Sequence, residues 1–208
     1  MNRVRIKFCG LTRLEDARIA VDLGVDALGF VFTRGSRRFV EPEVARDIVR
    51  TLPAFVTAVA LFMDDEPAWV RQVISIANPS LLQFHGGESV ADCSVHGKPF
   101  IKSVPMASVA DVASYAAGYP GASGFLLDAN RAGEPGGQGV RFDWSRRTSL
   151  QQALILAGGL DAGNVAEAMG AMHPYAVDVS SGIESAPGIK VADKMRAFVL
   201  AVRAAEID

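Results

Sequence analysis

Eight short apolar runs recur along the chain, at residues 4–8, 27–32, 55–62, 81–84, 100–104, 124–127, 154–157 and 176–179. Most are separated by stretches with helical period, an alternation that only a small set of folds accommodates. Strands apolar almost throughout are buried on both faces, and parallel strands need a crossover, usually a helix, between them. Eight such units predict an α/β fold of the closed (β/α)8 TIM-barrel type. A doubly wound open sheet is the alternative, and the lack of a dinucleotide-binding fingerprint favours the barrel. At 208 residues, half of them hydrophobic, the chain is short for a barrel, so its helices and loops must be compact. No linker, low-complexity tract or charge block interrupts it, so residues 1–208 are expected to form one domain.

Several helices announce their ends. Thr12 followed by Glu15 reads as a capping box, with Leu14, Ala17 and Val21 on one face of the helix and Gly24 as its stop. Pro42 suits the first turn of a second helix, whose apolar face is expected to be Val44, Ile48 and Leu52. Pro67 opens a third carrying Val70, Val73 and Ile74, and Asn78-Pro79 ends it. A last helix over about 190–204 presents Met195, Val199 and Val202. Segments 107–117 and 164–170 are further candidates, with weaker ones after 85 and around 145–151.

A formal net charge of −2 argues against a nucleic-acid partner, which calls for a basic face. Two distant cysteines read as reduced thiols rather than a disulfide framework. Met1-Asn2-Arg3 leads directly into a strand-like run without a signal-peptide core, so a cytoplasmic location is expected. The most apolar stretch, 55–63, falls well short of the roughly 20 residues that span a bilayer. No histidine, carboxylate or cysteine cluster has ligand spacing, so no metal is expected.

Barrel enzymes keep their active sites at the C-terminal ends of the strands, so the polar residues at strand exits are the informative ones. Cys9 ends the first run and Asp128 ends the sixth. A thiolate is a competent base, and a carboxylic acid at a strand exit can act as general acid, which makes the two an acid–base pair. Each also has a plainer reading, Cys9 as core packing and Asp128 as a turn former. The glycine-rich loop from Gly133 to Gly139 tilts Asp128 towards function, because such loops often serve as lids. Arg38 offers a guanidinium suited to bidentate binding of a carboxylate, while Arg34 and Arg37 read as solvated. Gln83 and His85, at the exit of the fourth strand, are expected to line the substrate pocket. Gly158-Gly159 and Ser180-Ser181-Gly182 follow the seventh and eighth strands, where barrels frequently bind phosphate through backbone N–H groups. Together these features predict a sugar-phosphate isomerase. Cys93, His96 and His173 receive no role.

Residues 7–12 (Lys-Phe-Cys-Gly-Leu-Thr), 29–32 (Gly-Phe-Val-Phe), 36–38 (Ser-Arg-Arg), 83–86 (Gln-Phe-His-Gly), 126–128 (Leu-Leu-Asp), 156–160 (Leu-Ala-Gly-Gly-Leu) and 177–184 (Val-Asp-Val-Ser-Ser-Gly-Ile-Glu) occur in this order. Together they resemble the phosphoribosylanthranilate isomerase family of tryptophan biosynthesis, and the likeness runs from residue 4 to about 203. The resemblance implies a ribulose-phosphate-binding type of barrel. It also implies a cofactor-free Amadori rearrangement of N-(5-phosphoribosyl)anthranilate to 1-(2-carboxyphenylamino)-1-deoxyribulose 5-phosphate. Cys9 would be the general base and Asp128 the general acid, with Arg38 on the anthranilate carboxylate and the two glycine–serine turns on the phosphate. No obligate protein partner is expected. One departure is Phe62-Met63-Asp64-Asp65, where many relatives would carry Val-Asn, and Asp64 is left without a role. An indole-glycerol-phosphate synthase would need a catalytic lysine at an early strand exit, whereas Lys7 precedes Phe8-Cys9 as an interior or support residue. A catalytically dead barrel kept as a phosphate sensor would be expected to lack Cys9, Asp128 or Arg38.

Overall fold

A computed structural model of the chain describes residues 3–134, 136, 139, 141–146, 148 and 150–206. Eight parallel strands close into a barrel in chain order: β1 (Arg5–Cys9), β2 (Ala27–Val31), β3 (Thr57–Phe62), β4 (Leu81–Phe84), β5 (Phe100–Pro105), β6 (Gly124–Asp128), β7 (Ala153–Leu156) and β8 (Ala176–Val179). The pairing of β1 with β8 excludes the open sheet. Helices α1 (Leu14–Asp22), α2 (Pro42–Val49), α3 (Pro67–Ala77), α4 (Val90–Ser94) and α5 (Val112–Ala117) follow the first five strands. Helix α6 (Val165–Met172) follows β7 and α7 (Ala192–Ala205) follows β8. Among the described residues the β6–β7 connection carries no helix, so the candidate around 145–151 is not helical there. Positions 135, 137, 138 and 140 of the expected lid and its edge, and 147 and 149 of that candidate, lie outside the described residues.

Strand alternation sorts the side chains into two layers. Ile6, Phe8, Leu28, Phe30, Phe62, Phe84 and Phe125 belong to the large cluster that joins the sheet to the helices. Phe32, Phe62 and Phe84 stack in succession with ring centroids 5.8 and 6.1 Å apart. A smaller cluster of Leu81, Ile101, Leu126, Ile155, Ala157 and Ala176 fills the barrel interior. Lys102 is the exception in the outer layer. Its fully buried ammonium lies 2.9 Å from a Glu88 carboxylate oxygen and also donates to the Gly86 carbonyl. The pair holds the β4–α4 loop, and Glu88 in turn accepts the Asp64 N–H at 2.9 Å from the loop after β3.

Several local expectations are corrected. Thr12 does not cap α1: its hydroxyl donates to the Gly188 carbonyl at 2.7 Å, and the helix starts after Arg13 without a side-chain cap. The capping box is instead Ser89 with Asp92, at the head of α4. Helix α2 buries Pro42, Ala45 and Ile48, while Val44 is exposed, because the stripe facing the core is set by spacings of three from Pro42. The third strand begins at Thr57 rather than 55, since Phe55 adopts φ 73° in a turn and is fully exposed. Arg34 is exposed, yet its guanidinium stacks 3.9 Å over the Trp69 ring. After β8 the chain makes a 3-10 turn (Ser181–Ile183) and a small hairpin of β9 (Glu184–Ala186) and β10 (Ile189–Lys190), so α7 starts two residues later than expected.

Truncation of the middle ring of the aromatic stack, Phe62→Ala, is expected to cost roughly 3–5 kcal/mol. Urea unfolding checks this as a lower midpoint at an unchanged m-value. A loss under about 1 kcal/mol would show that the outer layer collapses around the missing ring.

Candidate active site

The C-terminal ends of the strands surround a cavity of about 280 Å³. Cys9, Arg38, Gln83, His85, Asp128, Gly158, Gly159, Ser180 and Ser181 all line it, whereas Gly182 does not and packs instead on the Leu160 carbonyl. A larger open cleft of about 1430 Å³ lies at the opposite end, between the strand N-termini and helices α6 and α7. None of the expected site residues borders that cleft, so its size does not make it the better candidate. Gly136 of the loop after β6 also lines the smaller cavity.

Cys9 is the last residue of β1 and is 6% exposed. Two residues earlier on the same inward face is Lys7, whose ammonium lies 2.8 Å from an Asp178 carboxylate oxygen on β8. Lys7 and Asp178 stand directly opposite each other in the β1–β8 register. Burial pushes the Cys9 thiol above its ordinary value, and the charges of Lys7 and Lys190 act against that rise. Burial alone would lower Lys7, but Asp178 and Cys9 outweigh it and hold the ammonium firmly charged. Cys93 is a contrast. It is fully buried against the outer layer, and burial pushes its thiol up to about 12, which fits a packing role.

Arg38 does not stand alone in its loop. Its Nε and Nη2 donate to the two Glu184 carboxylate oxygens at 3.0 and 2.8 Å, a bidentate pair. Lys190 donates to the same carboxylate at 2.7 Å and also to the Cys9 carbonyl. The Gly188 N–H adds a further bond at 3.1 Å. Burial works to raise Glu184, but Arg38 and Lys190 together hold its carboxyl below the usual range. The hairpin of β9 and β10 thus braces Arg38 and the end of β1. Sequence reasoning missed Glu184 and Lys190 as site-supporting groups, although Pro187-Gly188 between two short runs is a hairpin signal.

Across the cavity, Asp128 ends β6, and its carboxylate comes within 3.4 Å of His85 Nε2, an approach rather than a full hydrogen bond. His85 Nδ1 is 3.4 Å from the Gln83 amide nitrogen. Among the described residues, His85 Nε2 and Gln83 Oε1 are buried without a hydrogen-bond partner, which leaves two polar atoms available to a ligand in the cavity. Asp64, left without a role above, accepts the Gly87 N–H at 2.6 Å and so fixes the loop beyond His85.

The glycine–serine turns occupy the rim between β7 and β8. Gly158 and Gly159 have φ of 82° and 64°, conformations that side chains with a Cβ rarely adopt. Gly182 packs so closely on the Leu160 carbonyl that no Cβ fits. Ser180 donates to the Cys9 carbonyl at 3.0 Å, tying this rim to β1. Turns of this kind expose backbone N–H groups to an anion.

The carboxylate that braces Arg38 gives a pH prediction. A depressed folded-state value means that its contribution is complete above the unfolded value, near 4.5, and is lost as pH falls through the folded one. Glu184→Gln is therefore expected to melt well below wild type at neutral pH, with the gap narrowing below about pH 4.5. Melting curves across pH check this, and a gap independent of pH would assign the loss to packing alone.

The fold and the site have close relatives. A family model described as N-(5'-phosphoribosyl)anthranilate (PRA) isomerase matches residues 6–201. An N-(5'-phosphoribosyl)anthranilate isomerase from Nitrosospira multiformis is 50% identical over 204 residues, covering 98% of both chains. The crystal structure of phosphoribosyl anthranilate isomerase from Thermotoga maritima superposes with a TM-score of 0.85 at 38% identity, over 97% of this chain and 99% of that one. A phosphoribosyl anthranilate isomerase crystallised with reduced 1-(o-carboxyphenylamino)-1-deoxyribulose 5-phosphate gives 0.81 at 36% identity, with the same coverage. Matched along nearly its whole length, the chain belongs to the N-(5'-phosphoribosyl)anthranilate isomerase family.

Proposed function

We propose that the chain catalyses the isomerisation of N-(5'-phosphoribosyl)anthranilate in tryptophan biosynthesis, with Cys9 as general base and Asp128 as general acid. The observation that carries this reading is the meeting of a strand-end thiol, a strand-end carboxyl group and two glycine–serine turns around one cavity. Asp128 protonates the ribose ring oxygen, and the furanose opens to a protonated Schiff base at C1. The Cys9 thiolate then takes the C2 proton. The C2–H electron pair forms the C1=C2 bond and neutralises the iminium nitrogen. The resulting enolamine tautomerises to the aminoketose. No electrons leave the substrate, so the chemistry requires no redox cofactor.

The remaining assignments follow from position. The turns at Gly158-Gly159 and Ser180-Ser181-Gly182 receive the phosphate through backbone N–H groups. Anchored there, the ribose is held between β1 and β6, which are not neighbours in the barrel. Arg38, oriented by Glu184, binds the anthranilate carboxylate. Gln83 and His85 offer hydrogen bonds to the sugar, and His85 also steadies Asp128. The relative crystallised with a reduced product analogue binds a compound bearing both a carboxyl group and a phosphate, which supports this division of the cavity.

A coupled assay tests the assignment by generating phosphoribosylanthranilate in situ and following the loss of its fluorescence. Cys9→Ser and Asp128→Asn are each expected to reduce turnover by roughly 10²–10⁴-fold without unfolding the protein. Near-normal turnover in either variant would remove that residue from the mechanism. Arg38→Ala is expected to weaken a carboxylated product analogue far more than ribose 5-phosphate, and equal losses for both would assign Arg38 elsewhere.

A further inference from the structure

A general base buried at the end of a strand has a physical difficulty. Cys9 is only 6% exposed, and removal from water favours the neutral thiol over the thiolate that must accept a proton. Something nearby has to offset that cost. The groups around the sulfur come from three elements. Lys7 stands two residues back on β1, Asp178 is on β8, and Lys190 reaches over from β10. Arg38 packs near Gly10, and His85 and Asp128 face Cys9 from the far side of the cavity.

These groups are not equivalent. Lys190 is aimed at backbone, since it donates to the Cys9 and Ser180 carbonyls and is neutralised by Glu184 at 2.7 Å. Among the described residues Lys7 donates to no backbone carbonyl of this rim; its ammonium, paired with Asp178, stands on the same side of Gly29 as the Cys9 sulfur. Gly29, paired with Cys9 across the β1–β2 ladder, makes room for this. A Cβ there would stand 2.9 Å from the Cys9 sulfur and 3.1 Å from the Lys7 nitrogen. The two groups therefore share the space that Gly29 leaves empty.

We propose that Lys7 is the fixed counter-charge of the Cys9 thiolate, held on the sulfur's side of the barrel by Asp178, and so a positioning residue for proton removal. This inference rests on reading Cys9 as the base. A simple structural role for the Lys7–Asp178 pair is the competing account, and it is a weak one. Buried ion pairs rarely improve stability over apolar packing, and nothing in bridging two strands requires the ammonium to stand beside a thiol. A counter-charge has a clear benefit. Lowering a thiol value that stands above ambient pH raises the thiolate population faster than it lowers the basicity of each thiolate. Asp178 then acts in two opposed ways. It fixes the ammonium in place, and its own negative charge disfavours the thiolate.

The opposed signs give the test. The rate of Cys9 alkylation by iodoacetamide is measured across pH on the folded protein, with Cys9 and Cys93 separated by mass spectrometry of their peptides. Lys7→Met is expected to raise the Cys9 titration by about one unit, or roughly tenfold slower alkylation near neutral pH. Asp178→Asn is expected to move it downward, because the negative charge is lost while the asparagine side-chain oxygen still accepts from Lys7 and keeps it in place. The pH profile of kcat/KM should follow both shifts. Lys7→Met leaves Asp178 buried without its partner, so the double variant Lys7→Met/Asp178→Asn guards against unfolding. It too is expected to titrate above wild type, since the influence of Lys7 on the thiol exceeds that of Asp178. An unchanged alkylation profile in a folded Lys7 variant, or shifts of the same sign in both single variants, would overturn the proposal. Alkylation requires no turnover, so this result is separate from the assay of Cys9→Ser, which alone decides whether Cys9 is the base.

Discussion

Closing the sheet by pairing β1 with β8 sets Lys7 opposite Asp178 and joins residues from the two ends of the chain at one rim. The rest of the site depends on that closure. Ser180 and Lys190 both bond to the Cys9 carbonyl, and Glu184 then braces Arg38 from the same segment. The Cys9 carbonyl is thus held by residues 171 and 181 positions away. An open sheet of the same strands would leave Cys9 at an edge, without Lys190 on its carbonyl and with Lys7 parted from Asp178.

The buried charges follow a spatial pattern that packing alone does not explain. Lys7 with Asp178, Arg38 with Glu184 and Lys190, and Lys102 with Glu88 all lie at or near the C-terminal rim. Each pair costs desolvation that apolar side chains of the same size would avoid. The barrel interior shows the alternative, being filled by Leu81, Ile101, Leu126, Ile155, Ala157 and Ala176. Charge is therefore concentrated where loops must be held in one arrangement. Lys102 and Glu88 act from outside the barrel, fixing the loops after β3 and β4 that carry Asp64 and follow His85.

The strands were legible because parallel strands buried on both faces leave continuous apolar runs, which are hard to confuse with loops. Their exits were legible for the same reason, since Cys9, His85 and Asp128 are the first polar groups after such runs. Helix starts were less so. Thr12 and Glu15 have capping-box spacing, but the Thr12 hydroxyl goes to Gly188, a partner 176 residues away that local sequence does not reveal. Val44 has core spacing by sequence alone, yet the buried stripe of α2 runs through Pro42, Ala45 and Ile48 and leaves it exposed. Glu184 lay within a recognisable motif, yet its task of pairing Arg38 depends on the hairpin returning over the barrel mouth. What sequence shows well is set by periodicity, and what it hides is set by contacts between distant loops.

The two ends of the proposed reaction place opposite demands on the protein. The acid at Asp128 must keep a proton until substrate arrives, and the base at Cys9 must already have lost one. Two groups in one small cavity cannot satisfy both demands unless their surroundings differ. Around Cys9 the charges are the Lys7 and Lys190 ammonium groups and the Asp178 carboxylate that pairs with Lys7. Around Asp128 they are a histidine 3.4 Å away and the glycine backbone at 158 and 136. No lysine or arginine pairs with Asp128 among the described residues. Lysine ammonium groups thus stand on the β1 side of the cavity, where the proposed base lies, and none pairs with the carboxyl group on the β6 side, an asymmetry that favours a thiolate at β1.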